Sequence, residues 1–170
     1  MATQIFLCKS QNSKAIYYDP VDSHVATHFD DTPGLKELAI EILTQKALEA
    51  DAVNFDIDMG RIVGTTDVVL VDDSDEIVYA VRKNRNDDEY VPFTKSRPAE
   101  PCSFVSVSLQ IRPDGDSYEL LSSWIGTWVD PPFPGTKDET PESKPYWTKH
   151  AFVWGSQQIK PGTETSTCPW

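Results

Sequence analysis

In Phe104-Val105-Ser106-Val107-Ser108-Leu109-Gln110-Ile111, apolar and polar residues alternate without a break from Val105 on. Tyr118-Glu119-Leu120-Leu121-Ser122-Ser123-Trp124-Ile125 follows it across Pro113-Asp114-Gly115-Asp116. Successive side chains on a strand point to opposite faces, so Val105, Val107, Leu109 and Ile111 share one face and Ser106, Ser108 and Gln110 the other. Pro, Asp and Gly between them are turn residues, and the two runs read as an antiparallel pair. The same period extends upstream. Residues 62–71 read as a strand ending at Asp72-Asp73-Ser74-Asp75, residues 76–83 as the next, and residues 90–94 as its continuation. Downstream, Pro131-Pro132-Phe133-Pro134-Gly135 opens a long loop to about residue 145, and residues 150–154 form a last strand.

Helical period is clearest at residues 32–49. Thr32 suits the N-cap, Pro33 the first helical position, and Leu35, Leu38, Ala39, Ile42 and Leu43 recur at three and four. Residues 50–57 either extend that helix or form a short strand. The whole predicts one domain over residues 1–170: an N-terminal arm (1–31), a main helix (32–50), an antiparallel sheet (61–155) and a tail (156–170). The predicted class is α+β, with the helix packed on a twisted antiparallel meander of four or more strands. The terminal Trp170 predicts a tail that docks.

The chain carries 15 basic and 27 acidic side chains, a formal charge of −12. That balance argues against a general binder of nucleic acids or acidic membranes. Residues 1–80 hold five bases and fifteen acids, but residues 81–100 hold Arg82, Lys83, Arg85, Lys95 and Arg97 against four acids. A positive spot on a negative body can hold an anion; the ordinary reading is a solvated edge strand guarded by charge. Period two puts Arg82 and Lys83 on opposite faces, so at most one of them serves a given site. Cys8, Cys102 and Cys168 are odd in number and lack zinc-ligand spacing, which reads as reduced thiols in the cytoplasm. The N-terminus has no signal-peptide pattern and no apolar run is long enough to span a bilayer, so no membrane is expected.

His24 and His28 are four apart; on a helix they would share a face and could hold a metal with a third ligand, the basis of a metal-dependent enzyme, but Val25, Ala26, Thr27 and Phe29 make a poor helix, so the pair reads as two histidines in a connecting segment and no metal is assigned. His150 opens the last strand and suits proton exchange near neutral pH; its ordinary reading is packing among aromatics. Trp124, Trp128, Trp147 and Trp154 read either as a stacking platform for bases or as packing. Phosphate-binding glycine loops and the nucleophile elbow are absent, and no cofactor is expected.

Four runs carry a resemblance: Thr65-Thr66-Asp67-Val68-Val69; Asp75-Glu76-Ile77-Val78-Tyr79-Ala80-Val81-Arg82-Lys83-Asn84-Arg85; Tyr118 to Gly126; and Glu142-Ser143-Lys144-Pro145-Tyr146-Trp147 with His150-Ala151. Together they resemble the barnase/EndoU/colicin/RelE-like ribonucleases and toxin domains of bacteria and phages, over about residues 61–155. The resemblance implies metal-independent RNA cleavage by attack of the 2′-hydroxyl on the adjacent phosphate. His150 would then be the acid or base, Arg82, Lys83 and Arg85 would hold the phosphate, Ser122 or Thr94 would donate a hydrogen bond, and Trp124 would stack on a base. Such nucleases are commonly basic, and this chain is acidic. The alternative is a non-enzymatic acidic domain that binds a basic protein partner.

Overall fold

The computed structural model describes residues 3–83, 89–127 and 130–170. Along the chain run β1 (Ile5–Lys9), β2 (Ala15–Tyr18), α1 (His24–Asp31), α2 (Leu35–Leu43), β3 (Ala52–Asp58), β4 (Gly64–Thr66), β5 (Val68–Leu70), β6 (Ile77–Val81), β7 (Tyr90–Thr94), β8 (Glu100–Cys102), β9 (Phe104–Ile111), β10 (Tyr118–Ile125), α3 (Ser143–Lys149) and β11 (His150–Val153). The described residues are mostly β, with three short helices and three sheets. This corrects the expected α+β fold of one N-terminal helix on a single meander. The strands are too interleaved for a meander: β2 pairs parallel with β10, and β7 parallel with β11. The chain forms two compact units, Met1–Gly64 with Cys102–Trp128 and Thr65–Pro101 with Val129–Trp170.

The first unit is a five-stranded sheet in the order β1-β2-β10-β9-β3, with α1 and α2 contributing to its core. Its centre is the alternating stretch: β9 and β10 pair antiparallel with Leu109 opposite Leu120 and Val105 opposite Ile125. Residues 50–57 resolve as strand, since β3 sets Val53, Phe55 and Ile57 opposite Leu109, Val107 and Val105. The expected helix over 32–50 is shorter and starts later. Thr32 ends α1 by donating its backbone N–H to His28 O, and Gly34 then turns at φ +87°, so α2 begins at Leu35. A left-handed φ is costly for residues with a Cβ, which is why glycine sits there. Leu35, Ala39, Ile42 and Leu43 form the buried stripe of α2 and join Ile16, Val25, Leu48, Val107, Leu109 and Leu120 in one aliphatic core. Each such side chain contributes roughly 1.5–3 kcal/mol when fully buried.

The second unit is a four-stranded sheet in the order β5-β11-β7-β6. Its core is aromatic. Phe133 stacks on Trp147 (centroids 4.4 Å apart), and Trp147 lies 5.7 Å from Phe152, which packs on Phe93. The Trp147 indole N–H reaches Pro131 O at 2.9 Å, tying the proline-rich loop down. Edge strand β6 is covered by the tail: Tyr79 and Thr165 exchange backbone hydrogen bonds of 2.8 Å, and Lys160 donates to Val81 O. Its edge is therefore protected by pairing, not by charge alone. Trp170 docks edge-on against Tyr79 at 5.3 Å. A third, two-stranded sheet pairs β4 with β8.

Candidate functional site

After β11 the chain turns at Gly155, whose φ of +91° favours glycine, and returns beside the end of β6. Three backbone contacts fix this turn: Trp154 N–H to Thr94 O (3.0 Å), Ser156 N–H to Val153 O (3.0 Å) and Lys83 N–H to Gln158 O (2.8 Å). They enclose a cleft of about 400 Å³ lined by Lys83, Trp154, Gly155, Gln157, Gln158 and Ile159. Trp154 is 37% exposed, so a ligand can reach it. Phe93 meets its ring edge-on at 5.7 Å, and Lys95 Nζ lies 4.5 Å from its centroid. The cleft thus combines a tryptophan ring, the Lys83 ammonium and two glutamines, with the Lys95 ammonium against the ring. Amides both donate and accept, as a base edge requires; the volume is that of an ordinary small-ligand site.

The residues expected from sequence fall in several places. Lys83 is exposed and lines this cleft. Arg82 does not line it and is buried. Its guanidinium donates to Glu89 at 3.1 Å and lies 5.0 Å and 5.4 Å from the centroids of Phe133 and Phe152. Arg82, expected as a phosphate ligand, is thus packed among aromatic side chains and paired with Glu89. Thr94 is fully buried, its hydroxyl 3.3 Å from Ser96 Oγ. Ser122 and Trp124 belong to the first unit. Ser122 pairs with Ser108 beside a bulge in β10, and the Trp124 indole donates to Thr127 O at 3.3 Å. Arg85 and Trp128 lie outside the described residues.

His150 is half-buried at the junction of α3 and β11. Its Nδ1 lies 2.9 Å from Tyr146 O. A carbonyl can only accept, so Nδ1 carries the proton, and in the neutral ring Nε2 is left as an acceptor. The imidazole stacks on Tyr146 at 3.9 Å with planes 4° apart. The Tyr146 hydroxyl donates to Asp130, and burial first, then that bond, holds the phenol far above its usual range. The register puts His150, Phe152, Phe93 and Arg82 on one sheet face. They share a face but not a set of partners: the guanidinium packs on Phe152 and Phe133, and the imidazole on Tyr146.

Sequence reasoning missed Lys95, Gln157 and Gln158 as site residues. Lys95 belonged to the basic run and Trp154 to the stacking candidates, but nothing local marks the two glutamines. Among the described residues no helix is long and apolar enough to cross a membrane. No family model matches the chain, and neither a curated protein nor a solved structure matches it. The likeness to the barnase/EndoU/colicin/RelE-like group therefore rests on the four sequence runs alone.

Proposed function

We propose that the protein binds single-stranded RNA, with an unpaired base on Trp154 and its phosphates beside Lys83 and Lys95. One observation carries the proposal: a cleft that joins an exposed tryptophan to Lys83 and two glutamines, with Lys95 against the tryptophan ring, in a chain of net charge −12. Tryptophan can stack only on a base that is not already stacked in a duplex, and such stacking contributes about 1–3 kcal/mol per base. The acidic remainder disfavours long polyanions, so the footprint is short. The proposal stops at recognition, because the Arg82 guanidinium is engaged with Glu89, Phe133 and Phe152. Cys8, Cys102 and Cys168 are unpaired, which supports a reducing, cytoplasmic setting.

The test is fluorescence anisotropy of a labelled mixed-sequence single-stranded RNA in EDTA. Trp154→Ala weakens binding by about 1–3 kcal/mol, and Lys83→Ala lowers the slope of log affinity against log salt by about 0.7. Equal affinity in wild type and Trp154→Ala sinks the proposal. The same incubation, run with His150→Ala, reads cleavage separately. A second reading rests on the first unit, which holds six bases against thirteen acids: this unit docks a basic protein partner. That reading predicts salt-sensitive binding of a lysine-rich peptide that Trp154→Ala leaves unchanged.

A further inference from the structure

We propose that His24 and His28 form a two-histidine site for a borderline divalent transition metal, Ni(II) or Cu(II) in preference to Zn(II). The segment that looked like a poor helix is helix α1. Ser23 starts it, accepting from Ala26 N–H at 3.1 Å while its own hydroxyl donates to Asp19 O. Buried Val25 and Ala26 anchor the helix to the first unit. Tertiary burial and a cap thus override weak local propensity. Residues four apart then stack one turn above the other on the same face.

The two Nε2 atoms are 3.0 Å apart, with ring planes at 81°. Imidazole nitrogens bind these metals at roughly 2.0–2.1 Å. Two such bonds at a right angle place their donors about 2.9 Å apart, whereas a tetrahedral angle needs about 3.3 Å. The observed spacing suits adjacent positions of a tetragonal or octahedral metal, the geometry of Cu(II) and Ni(II). Metal binding through both Nε2 lone pairs requires each neutral ring to carry its proton on Nδ1. No cluster of three or more metal-ligating side chains exists among the described residues, so water fills the other positions. A net charge of −12 raises the local concentration of cations and favours occupancy.

Titration of the full chain with Ni(II), followed by calorimetry and by paramagnetic broadening of amide NMR signals, tests this. Wild type takes up one equivalent, and broadening centres on α1. His24→Asn and His28→Asn each abolish the saturable uptake, and His150→Asn retains it. Circular dichroism checks that each variant is folded. The site is ruled out by a wild type that takes up no Ni(II), by saturable uptake that survives in the double variant H24N/H28N, or by broadening centred away from α1.

Discussion

The two units solve the burial problem differently. The first packs Ile16, Leu35, Leu43, Leu109 and Leu120 under a sheet, a mainly aliphatic core that also takes in Tyr18 and Tyr118, the Tyr118 hydroxyl donating to Ala50 O at 2.9 Å. The second packs Phe93, Phe133, Trp147 and Phe152 with a guanidinium laid against two of the rings. Aromatic side chains bring large area and polar handles, so each must also find a partner: Trp147 finds Pro131 O, and Tyr146 finds Asp130. An aromatic core therefore carries polar groups to its own rim, and the cleft at Trp154 lies at such a rim.

Removing one large side chain from each core puts that contrast to the test. Trp147→Ala, at 2% exposure, costs about 3–5 kcal/mol in chemical denaturation and also loosens the proline-rich loop. Leu109→Ala costs about 2–5 kcal/mol and leaves RNA affinity unchanged once the fraction folded is accounted for. If both variants lost affinity alike, the division of labour between the units would be wrong. Arg82→Met comes next. It leaves Glu89 without its ion pair and costs about 3 kcal/mol, since one partner of a largely buried pair is removed. If Arg82→Met folded at wild-type stability but lost RNA binding, Arg82 would be a ligand residue after all.

The smallest effect is electrostatic. Asp75 in the second unit is held down to about 2, first by the hydrogen bonds from Arg97 Nε at 2.9 Å. Asp114 in the first unit is held down to about 2, first by the Ser117 hydroxyl and then by backbone N–H groups. Both pKa values are lowered on folding, so each carboxylate adds stability above an unfolded pKa near 3.9 and loses it as pH falls from about 4 to about 2. Salt screens an ion pair more than neutral hydrogen bonds. Raising ionic strength therefore moves the Asp75 midpoint upward in an NMR titration and moves that of Asp114 less; equal shifts would contradict the assigned causes.

Legibility in the sequence followed the same line. Strands β9 and β10 could be read because one face is buried and the period is strict from Val105 to Ile111. The buried Arg82 could not be read, because charge usually marks solvent and its partners Glu89, Phe133 and Phe152 are distant in sequence. The parallel pairings of β2 with β10 and of β7 with β11 join segments about a hundred and about sixty residues apart, and no local pattern encodes them. Helix α1 escaped because its cap and two buried residues, not its propensity, hold it. Within the candidate site, Lys83 and Trp154 were visible as a charge and a ring, whereas Gln157 and Gln158 acquire their place only through the turn at Gly155.

The most direct measurement is an NMR titration of the tryptophan indole N–H signals with a short single-stranded RNA. The account predicts that the Trp154 indole and the amides of Gly155, Gln157 and Gln158 shift together and saturate, while the Trp124 indole stays in place. Saturable shifts at Trp124 with Trp154 unmoved, or no shift at any indole, would contradict it.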